Sequence, residues 1–421
     1  MKKNILFMHQ NFPGQYRELA PILSKIDKYN VSSLSAVDQG IKGIKHYNYN
    51  LTLGNGPKTH RLALEYETKM IRAEASALRC LELSKSGYSP DIIIAHPGWG
   101  EGLFIKEIWP NVKVLNFFEF YYNTSNSDVD FDVDDNQSSL SPFEMSTKLV
   151  SRNIPLVMSF IQSDQIVCPT KFQASTAPEI FSKKINIIHD GVDTEKLKRD
   201  DTAFIEVNNE PDTDSVKGEG VRLTKKDKII TFVNRNLEPY RGYHIFMRAL
   251  PDILEKHPDA YVLIIGGNEV SYGATPANGQ SYKDIYYNEV KHLIHDKRKQ
   301  IKFLGKVPYN SLISMLAIST AHVYLTYPFV LSWSMLEAMA MESLVIGSKT
   351  PPVEEIISHN KNGLLVDFHD IKGLSNTVNN VLDNRDDYEE IRKNGRQTIV
   401  ENYDLKSVCL PEHLKLIESL E

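Results

Sequence analysis

Short apolar runs alternate with longer helical patterns along the first half of the sequence. The first run is followed by the turn FPGQYRE and a helical pattern through residue 25, and residues 59–86 form a long helical pattern. The runs predicted as buried strands lie at 5–8, 31–34, 92–95, 112–117, 166–168 and 185–189. Runs that are apolar throughout are typical of interior parallel strands. Strands that alternate with helices predict a doubly wound α/β domain.

A second series of the same kind begins near residue 229. Its predicted strands lie at 229–233, 261–265, 301–303, 322–326, 344–347 and 364–366. The helical patterns between them lie at 243–256, 282–296, 309–317, 334–342, 352–358 and 370–383. Ligands of open α/β sheets bind at the carboxyl ends of the strands, beside helix N-termini, so we expect the functional side chains there.

Two polar stretches interrupt the pattern. Residues 195–228 are charged and weakly periodic, as expected of an insertion or linker between the two series. Residues 125–142 have neither a helical nor a strand face and are predicted to form an exposed loop. Since single domains usually run to roughly 100–200 residues, the length of 421 also favours two domains.

Composition narrows the class of protein. Hydrophobic residues make up 41% and charged residues 24%, as in ordinary globular proteins, and the formal net charge of −6 gives no general reason to bind nucleic acid. Three cysteines in no metal-ligand spacing argue against a disulfide framework or a zinc site. The apolar run at 5–8 is too short for a signal peptide. We therefore expect a cytoplasmic protein, at most attached to the inner face of a membrane.

Two arginines follow the first apolar run of the second series. Arg235 comes just after the run, and Arg241 stands directly before Gly242 and a helical pattern. Guanidinium groups in a strand-to-helix loop suit a diphosphate, because each donates paired hydrogen bonds to anionic oxygens. The alternative is a pair of solvated surface arginines.

A second candidate anion site lies at the start of the helical pattern at 334. Ser334 is followed by Met335, Leu336 and Glu337 in the predicted first turn. A phosphate there would be held by the Ser334 hydroxyl and the free backbone N–H groups, while Glu337 reached the ribose hydroxyls. The alternative is a capping box formed by Ser334 and Glu337.

Together the two segments resemble the retaining glycosyltransferases of family four (glycosyl transferases group 1), which have a GT-B fold of two Rossmann-like doubly wound domains facing across a cleft. The family pattern is Gly-Arg-Leu, a spacer and Lys-Gly, followed later by Glu-Gly-Phe-Gly-Leu-Thr-x-Leu-Glu-Ala-Met-Ala. This chain reads NRNLEPYRG at 234–242 and FVLSWSMLEAMA at 329–340. The segment HQNFPGQYRELA at 9–20 is similar to the opening of a subgroup of these enzymes.

The resemblance implies a donor site, although this chain departs from the family pattern in three ways. Arg241 stands where lysine is usual, Phe329 replaces the first glutamate, and the glycines of the turn are replaced by Val330 and Ser332. The implied contacts to the donor nucleotide sugar come from Gly14, Arg235, Arg241, Lys306, Val307, Phe329, Leu331, Ser332, Ser334, Met335, Leu336 and Glu337. Lys306 and Val307 would bind a nucleobase edge through their backbone, and Gly14 would let the backbone approach the sugar or phosphate.

Two further residues complete the predicted catalytic set of Arg235, Arg241, His96 and Glu119. His96 follows a predicted strand and precedes Pro97-Gly98, a position suited to a donor-sugar or acceptor ligand. A structural histidine is the alternative. Glu119 follows the next strand, where the family often has a functional histidine, and its alternative role is a salt bridge at the domain edge.

The acidic run DVDFDVDD at 128–135 contains Asp-x-Asp patterns like those of a metal site. Because it lies in a low-complexity segment rather than at a strand end, we interpret it as a solvated loop and predict no metal ligand. The resembled family generally needs no divalent cation, so no cofactor is expected beyond the donor substrate itself.

The resemblance implies an acceptor-side domain over 1–195, a nucleotide-sugar-binding domain over 196–400, and a terminal helix over 401–421 that crosses back to the first domain. The predicted function is transfer of a hexose from a nucleoside-diphosphate sugar, with a UDP-sugar favoured over a GDP-sugar. The transfer retains the anomeric configuration, and the acceptor is a glycan or lipid-linked saccharide of the bacterial surface. Apart from donor and acceptor, the only partner expected is the membrane surface, through a peripheral contact. The alternatives are a non-catalytic sugar-nucleotide-binding partner of another transferase and a sugar-nucleotide epimerase of the same fold.

Overall fold

The computed structural model describes residues 2–37, 39–132, 140–207, 220–276 and 279–421. The chain forms two compact units. The first comprises Met1–Thr124, Leu140–Asp190 and Cys409–Glu421, and the second comprises Gly191–Val408 together with residues 125–132. Each unit therefore contains segments that are remote from each other in sequence.

The first unit is built on a seven-stranded parallel sheet with the order β3-β2-β1-β4-β5-β6-β7. Its strands are β1 (Lys3–Met8), β2 (Tyr29–Ser35), β3 (Lys45–Asn48), β4 (Ile92–Ala95), β5 (Lys113–Phe117), β6 (Gln165–Cys168) and β7 (Ile185–Ile187). The sequence order reverses beside β1, where β2 lies on one side and β4 on the other. Such a switch point leaves a crevice at the carboxyl ends of the strands.

Helices surround this sheet: α1 (Leu19–Leu23), α2 (Leu64–Lys85), α3 (Ile105–Ile108), α4 (Pro142–Gln162) and α5 (Lys171–Ser175). Helix α4 begins in a full capping box, in which the Ser141 side chain and Glu144 satisfy each other's backbone N–H groups. The sheet's side chains are buried in separate clusters that include Phe7, Ile94 and Phe117 in one and Leu6, Ile93 and Val114 in another. Alternate residues of one strand thus face opposite layers, as a doubly covered sheet requires.

The second unit contains a six-stranded parallel sheet of order β12-β11-β10-β13-β14-β15 and an antiparallel pair, β8-β9. The strands are β8 (Phe204–Val207), β9 (Val221–Thr224), β10 (Ile229–Asn236), β11 (Tyr261–Gly267), β12 (Ile301–Gly305), β13 (Ala321–Tyr324), β14 (Val345–Ser348) and β15 (Leu364–Val366). Its sequence order reverses beside β10, between β11 and β13. The second switch point therefore lies at the end of β10, which carries Arg235 and leads to Arg241.

Seven helices of the described chain belong to this unit: α6 (Tyr243–Lys256), α7 (Tyr282–Val290), α8 (Tyr309–Ala317), α9 (Trp333–Ala340), α10 (Pro351–Glu354), α11 (Ile371–Asp383) and α12 (Glu389–Tyr403). The last helix, α13 (Leu410–Glu418), belongs to the first unit. There Ile417 joins the core cluster of Phe7, and Lys28 forms an ion pair with Glu418.

The predicted series of parallel strands is confirmed in both halves, and two Rossmann-like parallel sheets result. Some expectations about single elements were wrong in detail. Strand β3 was missed because its segment KHYN is mostly polar. The stretch predicted as a linker contains the β8-β9 pair, and the helical pattern at 282–296 forms a helix only as far as Val290.

In the described part of the chain, no helix is long and apolar enough to cross a membrane. Cys80, Cys168 and Cys409 are all buried thiols without a disulfide.

Candidate functional site

Three side chains meet at the switch point of the first unit. His9 directly follows β1, His96 directly follows β4, and Glu119 lies two residues after β5. The ring centroids of His9 and His96 are 5.3 Å apart, and His96 Nε2 lies 3.6 Å from Glu119 Oε2. Because these strands are neighbours in the sheet, their carboxyl ends bring the predicted residues His96 and Glu119 together.

His9 was not selected from the sequence, although its position directly after the first strand is a signal that could have found it. Its Nδ1 accepts a hydrogen bond from the Asn11 N–H at 3.0 Å, so the proton is on Nε2, which donates to Gln15 Oε1 at 2.8 Å. Burial and the nearby His96 ring lower the pKa of His9 to about 4. His9 is therefore a neutral, oriented hydrogen-bonding group at neutral pH.

Gly14 is the residue that lets this ring pack. Its φ is +49°, and a Cβ there would lie 2.6 Å from the His9 imidazole. Any side chain would therefore displace His9 and strain the backbone as well. This gives Gly14 a packing role, separate from the ligand contact that the resemblance implies.

His96 is held between two aromatic rings. Trp99 and Phe117 stack on it with centroids 5.9 Å away, and its Nδ1 accepts the Gly98 N–H at 3.2 Å. Only 2% of the residue is exposed, and its Nε2 has no hydrogen-bond partner among the described residues. With Nδ1 occupied as an acceptor, Nε2–H can donate to a ligand oxygen while Glu119 lies beside it.

In the second unit, the two predicted arginines differ sharply in environment. Arg235 is exposed near the end of β10, whereas Arg241 is 6% exposed. One Arg241 amino group donates to the Thr326 hydroxyl at 2.9 Å and to the Val330 carbonyl at 2.7 Å. Among the described residues, no carboxylate forms an ion pair with Arg241. A buried cation with only neutral hydrogen-bond partners is suited to an anionic ligand.

The N-terminus of α9 closely follows Val330, whose carbonyl accepts the hydrogen bond of Arg241. Its N-cap is Ser332, whose hydroxyl accepts the Ser334 N–H at 3.4 Å and lies 3.1 Å from the Ser334 hydroxyl. The expectation that the helix begins at Ser334 was therefore wrong by one residue. The alternative of a Ser334–Glu337 capping box was also wrong, because Ser332 is the N-cap. Ser332 can cap because its extended backbone is held by the Tyr324 hydroxyl, which accepts its N–H at 2.8 Å.

The remaining predicted donor contacts lie in and beside α9 and directly after β12. Leu331, Met335 and Leu336 are buried in the core cluster, so only their backbone can meet a ligand. Glu337 is 5% exposed and accepts a hydrogen bond from the Tyr309 hydroxyl at 2.7 Å. Lys306 is exposed and pairs with Glu269 at 2.6 Å, while Val307 packs against the core.

Phe329, which replaces the family's first glutamate, is 3% exposed within a group of aromatic rings. Its ring lies 4.8 Å from that of Tyr272 and 5.5 Å from that of Tyr240, and the Arg241 guanidinium carbon is 5.8 Å from its centroid. The structure thus brings Arg241, Phe329 and the α9 N-terminus into one site at the carboxyl ends of β10 and β13.

The acidic segment before residue 133 is not the exposed loop that we predicted. Asp128 and Asp132 are 2% and 4% exposed and accept hydrogen bonds from the hydroxyls of Tyr240 at 2.9 Å and Tyr327 at 2.6 Å. Asp132 Oδ2 also lies 2.9 Å from His244 Nε2. The prediction failed because these partners lie more than a hundred residues further along the chain. Burial raises the pKa of Asp132, but the His244 and Tyr327 contacts outweigh it and lower the pKa overall.

The last residues of the acidic run, 133–135, lie outside the described residues. In the described part of the chain, no group of three or more histidines, cysteines, aspartates or glutamates could hold a metal ion.

Comparison with known proteins finds a glycosyltransferase model in each half of the chain. Residues 28–197 match the model of the glycosyl transferase family 4 group, and residues 218–398 match that of glycosyl transferases group 1. The chain therefore contains a glycosyltransferase domain of the family 4 group in its first half and one of group 1 in its second half. His96 and Glu119 lie in the first glycosyltransferase domain, and Arg235, Arg241 and Glu337 lie in the second.

Curated relatives are similar over part of their length. Spore coat protein SA of Bacillus subtilis is 29% identical over 188 residues, which cover 43% of this chain and 46% of that protein. A D-inositol 3-phosphate glycosyltransferase of Corynebacterium efficiens is 28% identical over 167 residues, 39% of this chain and 36% of the enzyme. The match thus spans less than half the length of these relatives.

Solved structures confirm the GT-B fold over nearly the whole chain. The sucrose-phosphate synthase of Thermosynechococcus elongatus aligns with a TM-score of 0.71 at 15% identity and covers 99% of both chains. Anabaena HepE, in complex with UDP and glucose, aligns with a TM-score of 0.66 at 14% identity and covers 99% of this chain and 100% of its own. At such low identity these likenesses show the fold of the glycosyltransferase domains.

Proposed function

We propose that this protein transfers a hexose from a nucleoside-diphosphate sugar, with UDP favoured over GDP, to a glycan or glycolipid acceptor. The observation that carries the proposal is Arg241, a buried guanidinium that has neutral hydrogen-bond partners and lies beside the N-terminus of α9. Both features favour a bound anion, and a diphosphate is the anion that every sugar nucleotide presents. The UDP bound to Anabaena HepE supports the choice of base.

In the proposed donor complex, Arg241 and Arg235 bind the diphosphate, and Ser334 with the α9 backbone N–H groups binds its terminal oxygens. Glu337 is assigned to the ribose hydroxyls, with Tyr309 fixing its carboxylate through the bond at 2.7 Å. Lys306 and Val307, after β12, are assigned to the nucleobase edge. No metal ion or cofactor is needed in this proposal, because the arginines and the helix N-terminus supply the positive charge.

We propose transfer with retention because the family resemblance implies it. As the bond between sugar and diphosphate breaks, negative charge grows on the leaving phosphate, where Arg241 and the helix N-terminus stabilise it. The leaving phosphate can accept the proton of the acceptor hydroxyl, so no protein base is assigned to that step. In the first unit, His96 is assigned to a hydroxyl of a bound saccharide, with Glu119 accepting a hydrogen bond from the same ligand.

The first unit also presents a surface that suits a lipid-linked acceptor. The outward side of α4 exposes Phe143, Val150, Ile154, Met158 and Ile161, with exposed fractions from 44% to 75%. We call this row of side chains the α4 face.

We infer that the protein is cytoplasmic and that its α4 face contacts the inner surface of an anionic membrane. Lys148 is an exposed lysine on the flank of the same helix. At the C-terminal end of the helix, Lys184 donates to the Ile161 carbonyl at 3.1 Å beside the exposed Lys183. Apolar side chains with flanking lysines are typical of helices that lie on anionic lipid.

The membrane proposal is tested by flotation of the full chain with vesicles of phosphatidylcholine containing phosphatidylglycerol. Ile154→Glu with Met158→Glu should abolish flotation, whereas Glu74→Gln on the exposed side of α2 should not. Flotation unaffected by the double substitution would exclude the α4 face as the lipid contact. A dimer in solution that the double substitution dissociates would instead assign this face to a second copy of the chain.

The epimerase alternative requires carboxylates and histidines around the sugar for proton transfer. Phe329 and its aromatic neighbours occupy that part of the second unit, so we favour transfer. The alternative of a non-catalytic partner rests on the absent glutamate at 329 alone. Turnover distinguishes it from transfer, since both would use Arg241 to bind the diphosphate.

A screen of the purified chain against UDP-glucose, UDP-galactose, UDP-N-acetylglucosamine and GDP-mannose tests the function directly. We expect one of them to raise the melting temperature, since a ligand at 100 times its Kd stabilises a protein by about 2.7 kcal/mol. NMR of the anomeric proton in the product would then show retention. Release of a 2-epimer without acceptor would favour the epimerase, and binding without any turnover would favour the non-catalytic partner.

A further inference from the structure

The segment that carries Arg241 also fixes a loop of the neighbouring strand through a buried carboxylate. Glu238, 1% exposed, lies two residues after β10, and its Oε2 accepts the backbone N–H groups of Ser271 at 2.9 Å and Tyr272 at 3.0 Å. The Asn236 side chain donates to the Ser271 hydroxyl at 2.7 Å. Three hydrogen bonds thus tie the loop that follows β11 to the end of β10.

The loop held in this way places the Tyr272 ring on the proposed donor site. The Arg241 guanidinium carbon lies 5.4 Å from the Tyr272 ring centroid, and the Phe329 ring meets that of Tyr272 edge-on at 4.8 Å and 65°. Gly273 follows with a φ of +80°, and a Cβ there would approach the Tyr240 ring at 3.0 Å. The turn that follows Tyr272 therefore packs directly against Tyr240, which belongs to the same group of aromatic rings.

We propose that Glu238 is a positioning residue of the donor site, which holds Tyr272 against Arg241 and Phe329 as the wall beside the transferred sugar. This inference rests on the proposed function. Because Phe329 stands where the resembled family has a glutamate, the sugar meets rings here rather than a carboxylate. A ring held in place can pack against the apolar C–H face of a hexose and thereby select among donors.

Burial makes Glu238 a costly way to hold a loop. Burial raises the pKa of the Glu238 carboxyl to about 7. The two backbone N–H groups and the charges of Arg241 and Arg235 act to lower that pKa but do not offset the burial. An uncharged acceptor of the same shape would keep both backbone bonds at less cost. Glutamine at 238 is therefore the variant expected to preserve the loop, and alanine the variant expected to release it.

The experiment combines hydrogen exchange with titration of UDP-glucose, GDP-mannose and the free nucleotides UDP and GDP into the full-length chain. Glu238→Ala should speed amide exchange at Ser271 and Tyr272 and weaken binding of the preferred sugar nucleotide about tenfold. Affinity for the corresponding free nucleotide should change less than about threefold, since Tyr272 is assigned to the sugar side. Glu238→Gln should retain both slow exchange and affinity.

A double-substitution cycle separates positioning from general destabilisation. If Glu238 acts through Tyr272, adding Glu238→Ala to Tyr272→Ala should cause no further loss of sugar-nucleotide affinity. Additive losses, or fast exchange with unchanged sugar-nucleotide affinity, would overturn the proposal. Glu255→Ala, at an exposed position of α6, is the matched control. The wild-type titration tests the donor site itself, because a wild-type chain that binds none of the four compounds would refute that site. Failure of the Glu238 role alone would leave wild-type binding intact.

Discussion

Replacing Arg241 by methionine tests the diphosphate site most directly, because it removes the charge and keeps an unbranched chain of similar length. In the free protein the guanidinium is 6% exposed and bonded to Thr326 and Val330 at 2.9 and 2.7 Å. Burying a cation costs several kcal/mol, and each hydrogen bond of a charged donor returns about 1.5–3 kcal/mol. These terms nearly cancel, so we expect the free energy of unfolding to change by less than about 2 kcal/mol.

Nucleotide binding should respond far more than stability. Losing one or two charge-assisted hydrogen bonds to phosphate removes about 1.5–3 kcal/mol each, which raises Kd by at least about tenfold. Isothermal titration with UDP and UDP-glucose measures the loss, and Arg241→Lys should recover part of it by restoring the charge. Arg248→Met is the matched control, since Arg248 pairs with Glu289 on the surface of α6 at 2.7 Å. A folded Arg241→Met protein that binds with wild-type affinity would refute the assignment.

Three further predictions concern stability. Asp132→Asn should cost about 1–3 kcal/mol in urea denaturation, because the Tyr327 and His244 contacts lose the charge of their partner. Gly14→Ala should lower the melting temperature and shift the His9 ring resonances, since its Cβ would lie 2.6 Å from that ring at a φ of +49°. The raised pKa of Glu238 means that the folded state holds its proton up to about pH 7, so this group's contribution to stability should fall by roughly 3 kcal/mol between pH 4.5 and 7. Glu238→Gln should remove that pH dependence in urea titrations.

Much of the fold could be predicted because parallel strands covered on both faces are apolar throughout. The strands at 92–95 and 229–233, for example, are visible from composition alone and lie in β4 and β10. Strand β3 was missed because KHYN, at the sheet edge, is mostly polar and buries only Tyr47. Helix α4 was not predicted, since its outward side is apolar and gives no alternation of polar and buried positions.

The candidate site was predictable to the extent that it consists of residues just after strands. His96, Glu119, Arg235 and Arg241 were all selected on that basis, and the same reasoning could have included His9. Their roles in catalysis and donor binding stay predictions. The partners that orient them could not be found, because a hydrogen bond such as that of Glu238 to the Ser271 N–H leaves no trace in local sequence.

The sequence by itself determined the two parallel sheets and the strand ends from which the candidate side chains project, because hydrophobic periodicity acts within each short segment. Tertiary structure alone decided that Arg241 is buried with neutral hydrogen-bond partners, that Asp128 and Asp132 are buried against tyrosines, and that Tyr272 packs edge-on against Phe329. The physical reason is that burial and charge pairing depend on segments distant in sequence. Those environments, rather than the residue types, set the chemistry that a buried guanidinium or carboxylate can perform.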